Sequence, residues 1–242
     1  MRVGLFVTCL VDLMRPSIAF AAIELLEAAG CEVYVPPTQT CCGQPGYNSG
    51  DRQAARALAE KVLDDFEACD YLVAPSGSCA GMIKAHYPDL FQDSPELRAR
   101  VERLAVHELT DFLVNVAGLA EVLGAFRGKV TYHDSCAGLR EMGVKTQPRT
   151  LLAKVPGLAL EEMGECEQCC GFGGTFSVKF GEVSGAIADR KCQAIEATGA
   201  DAVVLGDLGC MLNIEGRLRR RGNESTRVLH VAEVLAGKTE RR

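Results

Sequence analysis

Short apolar runs alternate along this chain with longer stretches in which apolar residues recur every three or four positions. The run from Arg2 to Val7 has the continuous character of a strand buried on both faces of a parallel sheet. Pro16 to Ala29 follows with helical periodicity, Pro16 in its first turn and Gly30 at its end. Glu32 to Val35 predicts a second strand, Asp51 to Ala68 an amphipathic helix, Tyr71 to Ala74 a strand and Ser78 to His86 another helix. The same order returns later: strands at 129–132, 158–162 and 202–205, and helices near 184–198 and 209–221. The expected fold is α/β, two pseudo-symmetric repeats, each a small parallel sheet flanked by helices. The repeats are placed at 1–93 and 129–242, with 94–128 as a helical bridge between them.

The cysteines repeat with the elements. Cys9, Cys41, Cys42 and Cys79 are separated by 32, 1 and 37 positions; Cys136, Cys169, Cys170 and Cys210 by 33, 1 and 40. The flanks agree as well. Cys-Cys-Gly leads into Gln44-Pro45-Gly46 in one half and Phe172-Gly173-Gly174 in the other, and 69–74 matches 200–205. Such self-similarity marks a duplicated unit.

Cys9, Cys79, Cys136 and Cys210 each follow a predicted strand within a few residues. In open α/β sheets, sites form outside the carboxyl ends of strands. Four thiolates per half suit an iron–sulfur cluster or tetrahedral zinc. Zinc sites usually present two short-spaced cysteine pairs, whereas each half here has one adjacent pair and two distant cysteines. Adjacent sulfurs reach different irons of a multi-metal core more easily. A thiol–disulfide role stays open. The glycine beside each pair is expected to let backbone approach a bulky inorganic core.

The chain has 242 residues and twelve cysteines. A chain of this size buries an ample core without disulfide staples, and the apolar run at Val3–Leu10 is broken by Asp12 and Arg15 and lacks a small-residue cleavage site. Both features predict a cytoplasmic protein with metal-binding or redox cysteines. There is no apolar window of 18 residues, so no transmembrane segment is expected. Net charge is −6, against nucleic acid as the main partner. Residues 1–124 carry 9 Lys and Arg against 17 Asp and Glu, while 125–242 carry 17 against 15. The basic stretch Arg217 and Arg219–Arg221 is either a solvated helix face or a docking patch for an acidic partner.

Cys31, Cys69, Cys166 and Cys192 have no counterparts in the other half and are expected to pack as small apolar residues, with Cys166 also a candidate extra ligand. His133 and Asp134 precede Cys136, where the first half has Phe6 and Val7. A histidine there either bonds to neighbouring backbone or acts on a metal centre. It is the one candidate for a catalytic group. No phosphate loop or dinucleotide fingerprint follows any strand.

The blocks Thr40-Cys41-Cys42-Gly43-Gln44-Pro45, His133-Asp134-Ser135-Cys136 and Cys169 to Ser177 resemble the cysteine-rich CCG domain family. That family includes subunits of heterodisulfide reductase, anaerobic glycerol-3-phosphate dehydrogenase and glycolate oxidase. The resemblance covers essentially the whole chain as a stand-alone pair of domains. It implies a cytosolic iron–sulfur protein, with [4Fe-4S] the cluster type and zinc the alternative. It further implies an electron-transfer subunit, not catalytic alone, acting with sister subunits B and C in oxidising L-lactate to pyruvate. Carried over residue by residue, the ligands are Cys9, Cys41, Cys42 and Cys79, then Cys136, Cys169, Cys170 and Cys210. The fullest family motif ends Cys-x-x-Cys, with five cysteines holding a non-cubane cluster. Met82 and Asn213 stand at those last positions here, which favours a four-ligand site or one completed by another group.

Overall fold

A computed structural model describes residues 1–240. The first half runs β1 (Arg2–Leu5), α1 (Cys9–Met14), α2 (Ser17–Ala28), β2 (Glu32–Tyr34), α3 (Gln44–Ser49), α4 (Arg52–Asp65), β3 (Tyr71–Ala74) and α5 (Gly77–Gly81). A π turn over Met82–His86 carries α5 into α6 (Tyr87–Leu90), followed by α7 (Pro95–Arg103), β4 (Ala105–Glu108) and α8 (Leu109–Asp111). The second half runs β5 (Gly128–His133), α9 (Cys136–Arg140), α10 (Thr146–Leu152), β6 (Leu158–Leu160), α11 (Thr175–Lys179), α12 (Gly181–Ala197), β7 (Ala202–Leu205), α13 (Leu208–Arg220), β8 (Arg227–His230) and α14 (Val231–Leu235).

Each half forms a four-stranded, all-parallel sheet, in the orders β2-β1-β3-β4 and β6-β5-β7-β8. The central strands are apolar on both faces, as parallel sheets covered by helices require: Ala202 to Leu205 are all fully buried. Residues 94–128 are not a helical bridge throughout. They supply β4, which pairs with β3 from Tyr71↔Ala105 to Ala74↔Glu108 and completes the first sheet. Only four residues long and flanked by helical periodicity, this strand is too short to show its own period. β8 is its equivalent in the second sheet.

The halves pack reciprocally, as a pseudo-twofold demands. α14 of the second half lies on α2 of the first, and α10 lies on α8; likewise α5 touches α9 while α13 touches α1. One apolar cluster therefore runs through both halves, joining Ile18, Ala22 and Leu25 to Val231, Val234 and Leu235. Arg15 seals its edge, bonding the buried Glu233 carboxylate at 3.0 Å with Ser17 on the same group at 2.8 Å. The α5–α9 approach is closer still. A Cβ on Gly77 would stand 2.6 Å from the Gly138 Cα, so position 77 needs glycine.

Candidate metal centre

The cysteines fall at matched places in the two halves. Cys9 and Cys136 are the first residues of α1 and α9, behind Thr8 and Ser135, whose hydroxyls cap Val11 N–H and Gly138 N–H at 3.3 Å. Cys79 and Cys210 lie in the first turns of α5 and α13, just past the ends of β3 and β7. The pairs Cys41-Cys42 and Cys169-Cys170 come from the loops after β2 and β6.

In each half the four side chains lie in a continuous line of neighbouring thiols. Cys9 meets Cys41, Cys41 meets Cys42, and Cys42 Sγ lies 3.5 Å from Cys79 Sγ. Cys136 meets Cys169, Cys169 meets Cys170, and Cys170 meets Cys210. Each line has a buried inner pair, Cys42 with Cys79 and Cys170 with Cys210. The outer pair differs: Cys9 and Cys41 are half-buried, while Cys136 and Cys169 are exposed. All twelve thiols are free.

The first cysteine of each adjacent pair is the natural thiolate. Hydrogen bonds from Cys42 and Cys9 push the Cys41 pKa down to about 2, and those from Cys136 and Cys170 do the same at Cys169. Backbone helps: Gly43 N–H donates to Cys41 Sγ at 3.4 Å and Gly171 N–H to Cys169 Sγ at 3.3 Å. Their neighbours Cys9, Cys42, Cys136 and Cys170 are raised, since they donate to those thiolates. A positive φ is why the motif requires glycine, at +85° for Gly43 and +88° for Gly171. Close approach adds to it. A Cβ on Gly171 would meet the Ser184 carbonyl of α12 at 2.6 Å. Helix packing and turn conformation thus require these glycines independently of any approach to an inorganic core.

The carbonyls of the inner cysteines are tied down by different groups. Tyr87 donates its hydroxyl to the Cys42 carbonyl at 2.9 Å, and Asn213 donates its amide to the Cys170 carbonyl at 2.8 Å. Met82, at the other position where the fullest motif has a fifth cysteine, is fully buried in the first core.

One carboxylate links the two sites. Asp207 caps Gly209 N–H at 3.2 Å beside Cys210, and also accepts from Ser78 N–H at 2.9 Å beside Cys79 and from the Ser76 hydroxyl at 3.1 Å. Sequence reasoning passed over it. Its signal was its place three residues before Cys210, matching Ser76 before Cys79.

His133 ends β5 and is fully buried. Neither ring nitrogen has a hydrogen-bonding partner; the Cys166 carbonyl is near enough to favour a charge on the ring but lacks bonding geometry. Burial pushes its pKa down to about 3, with the Lys191 charge acting in the same direction. A ligand atom of His133, Cys170 Sγ and Cys210 Sγ all lie within 4.8 Å of one another, the one such convergence of three metal-binding side chains among the described residues.

The remaining cysteines stand apart. Burial and the nearby Asp134 charge raise the Cys166 thiol pKa, and Cys192 is buried with its thiol toward the Ile214 carbonyl at 3.9 Å. Cys31 packs in the shared core and Cys69 against the second apolar cluster. Three arginines of the basic stretch are engaged within the chain: Arg217 and Arg221 pair with Asp189, Arg221 with Glu196 and Arg219 with Glu215, while Arg220 is exposed.

The cysteine-rich domain (CCG) matches the chain twice, over residues 3–84 and 130–215. Three proteins called lactate utilization protein A are similar over 97% of this chain. Those of Bacillus subtilis, Anoxybacillus flavithermus and Geobacillus kaustophilus are 45%, 47% and 48% identical, covering 99%, 99% and 98% of their own lengths. A crystal structure of a hypothetical protein from Helicobacter pylori shares the fold with a TM-score of 0.66 at 15% identity; it covers all of this chain, which spans 49% of that one. With its repeated strand order, its Cys…Cys-Cys-Gly…Cys sets in register and both halves matched, this chain belongs to the cysteine-rich CCG domain family.

Proposed function

We propose that this protein is an iron–sulfur electron-transfer subunit of a system oxidising L-lactate to pyruvate, acting with sister subunits B and C. The observation that carries this reading is the pair of thiol chains at the carboxyl ends of two parallel sheets, on helices that touch across the pseudo-twofold. The similarity to proteins called lactate utilization protein A supports the substrate class.

The donor sets fit a cluster. Among the described residues, no three metal-binding side chains of the first half converge within 4.8 Å, so its sulfurs lie in an open line, and the adjacent pair Cys41-Cys42 can reach different irons of a multi-metal core. Cys9, Cys41, Cys42 and Cys79 would hold one centre, and Cys136, Cys169, Cys170 and Cys210 the other. A bound cluster supplies one-electron chemistry at a potential set by its surroundings. The chain's own residues do the rest. Thr8 and Ser135 fix the first turns that present Cys9 and Cys136. Gly43 and Gly171 N–H groups favour anionic sulfur at Cys41 and Cys169. Exposed Cys136 and Cys169 bring the second site to the surface, where an electron partner has access.

Anaerobically purified protein tests the reading. Iron and acid-labile sulfide with visible charge-transfer absorbance are the expected result, and zinc without iron overturns it. Lactate-dependent dye reduction should require addition of the B and C subunits. Robust turnover by the lone chain would overturn the electron-transfer role and direct attention to His133 and Arg140.

A further inference from the structure

The two halves match in backbone but not in what surrounds their inner cysteines. Aligned on the strand before the first cysteine, His133 takes the place of Phe6. Phe6 is fully buried and packs on Phe66 with ring centroids 6.0 Å apart, so the fold accepts a plain apolar side chain at this position. His133 is equally buried, has no partner at either ring nitrogen, and offers a ligand atom within 4.8 Å of both Cys170 and Cys210 sulfurs. An unpaired imidazole sealed from water is costly, because each unmet polar group loses the hydrogen bonds it made to water. Only the nearby Cys166 carbonyl offsets a part of that cost.

A second residue repeats the contrast. The buried face of α4 reads Ala55, Ala59, Val62 and Leu63; that of α12 reads Ser184, Ala188, Lys191 and Cys192. Lys191 therefore stands where the first half has Val62. Its ammonium is bound by the Glu165 and Cys166 carbonyls at 2.7 and 3.3 Å, with no carboxylate paired to it among the described residues. A buried cation without a counter-ion calls for negative charge nearby, which thiolates on a metal centre provide.

We propose that His133 is a nitrogen ligand of the second metal centre, so that one chain carries two centres with different donors: sulfur alone in the first half, and sulfur with imidazole in the second. The inference rests on the metal-centre reading above. One ring nitrogen gives its lone pair to the metal while the other keeps its proton, so no proton is released on ligation. Imidazole adds a donor without adding negative charge, and with the Lys191 ammonium beside it the second centre has the higher reduction potential.

The test uses the full chain, purified anaerobically and reconstituted with iron and sulfide, with and without ¹⁵N-histidine labelling. Pulsed EPR of the reduced protein should show a directly bound nitrogen whose coupling changes on labelling. The three other histidines are engaged elsewhere, with Glu141, Asp111 and the Pro75 carbonyl. His133→Phe, which copies the first half, should lose that coupling. It should also move the more positive of two redox waves and leave the other in place. Labelled wild-type protein decides the matter even if the variant does not fold. Protein that holds iron and sulfide but shows no histidine-sensitive coupling overturns the ligand and leaves the iron–sulfur reading standing. Protein that holds zinc alone overturns the iron–sulfur reading, and X-ray absorption at the zinc edge then tests the ligand: nitrogen among the donors, lost in His133→Phe, supports it, and a sulfur-only shell overturns it.

Discussion

The first and second halves share strand order, cysteine spacing and even the N–H bond to the first thiolate of each pair, yet their sites are lined differently. Phe6 and Val62 make the first an apolar pocket, whereas His133 and Lys191 make the second polar and basic. The outer sulfurs of the first are half-buried and those of the second exposed. Duplication preserved what the backbone and the sulfurs need. The side chains packed around them were free to change, because a buried site tolerates any group of similar volume whose polar atoms find partners.

The sharpest way to break this comparison is to remove one centre at a time. Cys42→Ser should eliminate metal from the first half and Cys170→Ser from the second, each lowering iron and sulfide by about half. Loss of all metal from either variant would show that the halves do not load separately.

The residues at the ends of β4 and β8 allow a second test. Glu108 and His230 occupy equivalent positions, each capping the helix that follows. Glu108 accepts from Thr110 N–H at 2.7 Å and from Asp111 N–H at 3.2 Å, and His230 Nδ1 accepts from Ala232 N–H at 3.1 Å. Burial moves them in opposite directions, Glu108 up to about 7 and His230 down to about 4. The raised acid keeps its proton in the native state while the unfolded chain releases it, so stability falls as pH rises from about 4.5 to about 7. The depressed histidine resists protonation in the native state, so stability falls as pH drops from about 6.5 to about 4. Across the overlapping window the two slopes oppose each other. Glu108→Gln should therefore gain roughly 3 kcal/mol on wild type between pH 4.5 and 7 and expose the acid limb. Denaturant melts across this range measure it, and a pH-independent difference would refute the assignment.

Asp207 tests how tightly the halves are joined. Asp207→Ala leaves Ser78 N–H and Gly209 N–H without their acceptor, at a cost of about 2 kcal/mol. Although Asp207 lies in the second half, metal occupancy should fall at both sites, read from iron content in the Cys42→Ser and Cys170→Ser backgrounds. Loss confined to the second half would mean that the Ser78 contact does not support the first.

The smallest effect is expected at Cys192, whose first-half counterpart is Leu63. Cys192→Ser should cost about 1–2 kcal/mol by burying a hydroxyl, with metal content unchanged. Metal loss comparable to Cys170→Ser would place Cys192 among the ligands.

Much of this was legible along the chain because its signals are local or periodic. The runs at 71–74 and 202–205 are strands as read, and the doubled cysteine spacing marks the two halves that the fold repeats. β4 was not legible, since four residues between helices carry too little period and only pairing with β3 makes them a strand. The reason for glycine at 43 and 171 was also hidden, because left-handed backbone and the approach of a distant helix leave no mark on neighbouring residues.

The sequence by itself determined the central strands, the duplication and the eight cysteines, because each depends on residue type and spacing along the chain. Tertiary structure alone decided which cysteines meet, how Asp207 bridges the halves, and that His133 is a buried ring without a partner beside Cys170 and Cys210. Those facts depend on groups far apart in sequence closing around one another, where burial turns an ordinary histidine or carboxylate into one whose polar atoms must be satisfied by whatever the fold brings near.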